Sequence, residues 1–178
     1  MNIYNPKPEA NIYDSLLAVN EEDEILLLHF LGDLHWYEVP EVWQPIPVEV
    51  YSKGKPGDFP SIVALHLTLS ERAARILQPI MGESVELLPV VCTTTGERYF
   101  AIKVLDVVDC LDHSRSVVGR NSHSGRVTVI DSFAFKDGCI GDRNIFRLPE
   151  LNRALVSQTF KDCVENNGLE GLIFKQVG

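Results

Sequence analysis

The chain has 178 residues, is 45% hydrophobic and carries a formal net charge of −9. A chain of this length buries a core without disulfide or metal staples, and its charged fraction is not that of a disordered segment. Residues 1–50 hold ten acids and one base, Lys7, whereas residues 51–178 hold fifteen of each sign; this argues against a nucleic-acid partner, which needs clustered lysine and arginine, and permits a basic protein partner, though plain solubility explains the charge more simply.

Along the chain, Met1–Pro6 has no basic stretch followed by an apolar one and does not read as a secretory signal. Ile3-Tyr4 is a candidate short strand. Glu21, Glu22, Asp23 and Glu24 lead into Ile25–Leu31, the most apolar run, which contains His29 and is far short of the roughly 20 residues that span a bilayer. These features predict a cytoplasmic protein with no membrane partner. Hydropathy alone leaves 25–31 open between a buried strand and a short helix. Trp36, Tyr37, Glu38, Glu41 and Trp43 follow, so both tryptophans sit among acids. Such a segment suits a binding hot spot and suits core cover equally well. Val48 and Val50 alternate with Glu49 and Tyr51 as a half-buried strand. Ser52–Pro60 is the clearest loop, and it divides an acidic, aromatic part, 1–60, from a domain at 61–178.

Val63, Leu65, Leu67 and Leu69 alternate as a strand. Ser70 then caps a helix whose apolar face is Ala73, Ala74, Ile76, Leu77 and Ile80, with Pro79 and Gly82 as stops. Glu86–Val91 and Tyr99–Val104 read as an antiparallel hairpin, and Val107–Leu111 as a helical turn that would set Asp106, Asp109 and Asp112 on one face. Residues 113–126 form a polar loop with three arginines, two histidines and no acid. Val127–Phe135 and Ile145–Leu148 are strand-like. Ser157 caps a last helix, with Phe160, Cys163 and Val164 inward and Gly168 as its stop. Leu172, Phe174 and Val177 suggest a closing strand. This order predicts an α+β fold: a mixed, antiparallel-rich sheet with a few packed helices.

Few motifs carry chemistry. There is no phosphate-binding glycine loop and no nucleophile elbow. The five histidines stand outside any zinc spacing, and the four cysteines, Cys92, Cys110, Cys139 and Cys163, form no CxxC pair. No cofactor or metal is implied, and the cysteines read as free, small buried side chains. In the 113–126 loop, His113, Arg115, Arg120, His123 and Arg126 could grip an anion or a partner's carboxylate. A serine–histidine pair there lacks an orienting acid in the sequence. The three aspartates fit a solvated face better than a paired-carboxylate site.

An ordered series from Leu67 onward carries a resemblance. It runs through Leu69-Ser70-Glu71-Arg72-Ala73, Glu86-Leu87-Leu88-Pro89-Val90, Tyr99–Val104 and Val108–Asp112. It continues through Ile145–Glu150, Val156-Ser157, Phe160 and Gly168–Phe174. Over about the last 110 residues the chain resembles the eleventh family of immunity proteins from bacterial polymorphic-toxin systems. The resemblance implies a protein that binds and neutralises a cognate toxin, and it supplies no catalytic residues. The expected partner surface is then Glu21, Glu22, Asp23, Glu24, Trp36, Tyr37, Glu38, Glu41 and Trp43, facing a basic toxin. The second surface is His113, Arg115, Arg120, His123 and Arg126. The competing readings are a small enzyme or anion-binding protein using 113–126, and an adaptor subunit with no toxin.

Overall fold

The computed structural model describes residues 2–31, 43–62 and 66–178. Among the described residues the order begins β1 (Ile3–Pro8), β2 (Ser15–Ala18), α1 (Glu21–Leu31), β3 (Ile46–Ser52), β4 (Ser61–Ile62), β5 (Thr68–Ser70) and α2 (Glu71–Met81). It continues β6 (Val85–Cys92), β7 (Arg98–Val104), β8 (Val117–Arg120), β9 (Val127–Ser132), β10 (Ile145–Leu148), β11 (Leu151–Ser157), α3 (Gln158–Asn166) and β12 (Leu172–Gln176). The open segment 25–31 is thus helical, and Val63 and Leu65 lie outside the described residues.

The hairpin β6–β7 shows how the layers arise. Val85 pairs with Val104 and Val91 with Arg98, as the alternating pattern requires. Tyr99 and Ala101 of β7 face one apolar cluster, together with Leu88, Val90 and Cys92 of β6. Phe100, Ile102 and Val104 face another, together with Val85 and Leu87. Strands apolar on both faces need cover on both, and α1 and α2 supply it. The hairpin belongs to a six-stranded sheet of order β4-β2-β3-β6-β7-β5. Its neighbours pair antiparallel except at β2–β4 and β3–β6. A second sheet, β10-β11-β1-β12, is antiparallel throughout. The fold is α+β and antiparallel-rich.

The largest core joins the two sheets through α2 and α3, with Leu69, Leu77, Ile145, Val156 and Phe160 fully buried. A third cluster covers the other face of the four-stranded sheet, where Ile3, Phe146 and Leu155 meet Cys110, Leu111 and Ile130. Both cap predictions hold: Ser70 Oγ accepts from Ala73 N–H at 3.1 Å, and Ser157 Oγ accepts from Phe160 N–H at 3.2 Å. Gly82 and Gly168 follow α2 and α3 at φ 53° and 58°, where a side chain would be strained. Residues on either side of the 52–60 loop share both larger sheets: β1 lies between β11 and β12, and β3 beside β6.

Three local expectations need correcting. Pro79 does not end α2, which runs on to Met81; in the last turn a missing N–H costs one hydrogen bond. Val107–Leu111 is extended, with Val107 bridged to Arg147 and Leu111 to Phe135. Asp106, Asp109 and Asp112 therefore share no helix face, and each meets its own cation, Arg143, Lys136 and Arg115. Residues 113–126 are not a simple loop, because β8 lies inside the segment and pairs with β9 as a two-stranded sheet.

Candidate partner-binding surface

The acidic run forms the first turn of α1, and much of its placement follows from helix physics. Asp23 N–H donates to Asn20 Oδ1 at 2.9 Å, and Asn20 Nδ2 donates back to Asp23 Oδ2 at 2.7 Å. This reciprocal cap satisfies an amide left unpaired at the helix start. Acids there also oppose the positive end of the helix dipole. Glu21 and Glu22 remain exposed and Asp23 and Glu24 half-buried. Leu27 anchors α1 on the six-stranded sheet, fully buried, while Leu28 stays 36% exposed. Glu21, Glu24 and Leu28 recur at i, i+3 and i+7, one face of a helix. The outward side of α1 is thus a small apolar spot flanked by carboxylates.

Trp43 is half-buried against the cluster that Tyr99 and Ala101 face, and its indole N–H donates to Pro89 O at 3.0 Å. That carbonyl lies just before the β3–β6 ladder, which begins at Ile46 opposite Val90. Trp43 therefore seals a sheet position. Trp36, Tyr37, Glu38 and Glu41 lie outside the described residues.

The second group of predicted residues divides in two. Arg115 Nε meets Asp112 Oδ2 at 2.6 Å, and its Nη2 donates to Phe135 O at 2.7 Å. Hydrogen bonds from Ser114 and then Arg115 hold the Asp112 carboxyl well below the usual carboxylate range. His113 Nε2 meets Glu150 Oε1 at 2.9 Å, and Arg120 Nη2 approaches His113 Nδ1 at 3.4 Å. These three bases thus have partners on neighbouring turns and strands. His123 and Arg126 sit exposed at the hairpin tip. Ser122 Oγ lies 3.1 Å from His123 Nδ1, yet no carboxylate of the described residues is paired with that ring, so the pair lacks the third group that orients a base. Among the described residues, no three of His, Cys, Asp or Glu come together as a metal-binding group, and no helix is long and apolar enough to cross a membrane.

A family model described as "Immunity protein family (Imm11)" matches residues 39–178. The chain belongs to this immunity protein family. No curated protein matches it. The family match begins well before Leu67, where the residue series first becomes recognisable, and so takes in β3. That extension is physically sensible, because β3 pairs with the family-like strand β6. Strands β1 and β2 and helix α1, with its acidic turn, precede the matched span of this Imm11 member.

Two groupings were not foreseen from sequence. One is Glu150, which supplies the acid that segment 113–126 lacks. The other is the buried Asp58, which accepts from Ser70 Oγ, Arg72 Nη1 and Glu170 N–H at 2.8, 2.8 and 3.1 Å. The only sequence signal for Asp58 was an acid inside a glycine- and proline-rich loop, which is equally a turn residue.

Proposed function

We propose that this protein neutralises a cognate bacterial toxin by binding it one-to-one in the cytoplasm of the producing cell, without catalysis. The observation that carries the reading is the immunity-family match over residues 39–178. The proposed contact is the acidic face of α1, Glu21, Glu22 and Glu24 around Leu28, together with Trp36, Tyr37, Glu38, Glu41 and Trp43, which follow it in sequence. Carboxylates at a rim steer a basic partner and raise the association rate, and apolar contacts then slow dissociation. An inhibitor must also discriminate its own toxin from relatives, and most of this surface precedes the family-matched span. The hairpin tip, with His123 and Arg126 exposed, is the second surface, suited to a carboxylate or another anion. A protection assay tests the function. Expression of the toxin domain encoded beside this gene should arrest a naive host, and coexpression of this chain should restore growth. Arrest that persists with the folded chain present refutes the reading.

A further inference from the structure

Cys110 and Cys139 stand at the two ends of an excursion, residues 111–138, that carries the whole β8–β9 hairpin. Their segments are already laced together at that point. Lys136 N–H donates to Cys110 O at 2.9 Å, Cys139 Sγ lies 3.7 Å from the same oxygen, and Leu111 bridges Phe135. Both side chains belong to the third apolar cluster. We propose that these two thiols are a latent oxidation site, reduced in the resting protein, that closes as a disulfide at the base of the hairpin.

The pair is asymmetric in a way that orders the chemistry. Cys139 is half-buried and is therefore the thiol of the pair that an oxidant in solution reaches first. Cys110 is fully buried, and burial, followed by the Cys139 thiol itself, pushes it up to about 12. A hydroperoxide is the matching oxidant class. The Cys139 thiolate attacks one oxygen of hydrogen peroxide; an S–O bond forms, the O–O bond breaks, and the departing hydroxide takes up a proton as water. Cys110 Sγ then attacks the Cys139 sulfur. The S–S bond forms, the S–O bond breaks, and the second hydroxide leaves with the Cys110 proton as water. Two thiols lose two electrons and one peroxide gains them. The high thiol pKa makes the second step the slow one. Gly138 and Gly141 flank Cys139 at φ 71° and 63° and give the loop freedom to bring the sulfur onto its partner. The link would fix both ends of the segment that presents His123 and Arg126.

The test exposes the folded chain to hydrogen peroxide, then unfolds it and titrates thiols. The expected result is a fall from the four free thiols to about two, with peptide mapping placing one cross-link between 110 and 139. Dimedone added at early times should label Cys139 before the cross-link accumulates. The variant Cys139→Ser should abolish the cross-link, whereas Cys163→Ser and Cys92→Ser should leave it intact. Because Cys110 is buried and its replacement risks the fold, Cys139→Ser is the deciding variant. Four thiols surviving, a cross-link elsewhere, or Cys139 advancing to sulfinic acid with no link to Cys110 would overturn the proposal.

Discussion

Asp58 and Arg72 join three remote pieces of chain through one ion pair of 2.8 Å. Asp58 belongs to the 52–60 loop and Arg72 opens α2; the same guanidinium donates to Asn167 O at 2.7 Å, just past α3. The carboxylate is 11% exposed and the guanidinium 51%. Asp58→Ala should therefore destabilise by about 2–4 kcal/mol, because it removes a nearly buried acceptor that three donors share. Arg72→Ala should cost less, about 1 kcal/mol, because water partly replaces it. Urea unfolding of both variants checks the order; equal effects would contradict it.

The two serine caps give a second prediction. Ser70→Ala and Ser157→Ala should each lower stability by about 1 kcal/mol, with Ser157 the larger. Each hydroxyl also donates to a second side chain at 2.8 Å, Ser70 to Asp58 Oδ1 and Ser157 to Asn144 Oδ1, but Ser157 is fully buried and Ser70 only half-buried, so water replaces less of what Ser157 loses. Thermal unfolding of the two variants, with Ser157→Thr as the conservative control, measures this.

His66 gives stability a pH slope. Burial, then the charge of Arg153, lowers it to about 4. The unfolded chain takes up a proton near the ordinary value of 6.5, but the native chain does not until far lower pH. The His66 contribution is therefore complete above about pH 7 and lost as pH falls towards 4, at most about 3 kcal/mol. His66→Gln should flatten the stability difference between pH 7 and 5, a window above most carboxylate titration. An unchanged slope would show that another group governs it.

The acidic face is tested through kinetics. Glu21→Gln with Glu22→Gln should slow association with the cognate toxin several-fold and weaken its salt dependence, with little change in dissociation. Glutamine is the better replacement, because lysine would also oppose the dipole of α1 by about 0.3–1 kcal/mol. Trp43→Ala is unsuitable as a binding probe, since Trp43 packs into the core and bonds Pro89 O.

The parts of the fold legible in the sequence are those set by short-range rules. The period-two pattern of β6 and β7 reports two covered faces, and Ser70 and Ser157 announce helix starts through a local hydrogen bond. What was missed depends on distant pairing. Strand β8 has four residues, one of them Gly119, and its ladder with β9 is broken by register shifts; alone it looks like loop. Asp106, Asp109 and Asp112 mimic a helix face, yet the spacing arises in extended chain where each acid meets a different cation. Glu150 reaches His113 only because β10 and β11 bring it there. The acidic turn of α1 was legible as a charge cluster, but its capping function needed the geometry of Asn20.

The most direct test of toxin neutralisation is a titration of the purified cognate toxin domain with this chain while toxin activity is followed. Activity should fall linearly and vanish at about one equivalent, with a one-to-one complex recovered by size-exclusion chromatography and light scattering. Full activity at excess folded protein, or inactivation of many toxin molecules by each copy of this chain, would contradict stoichiometric inhibition.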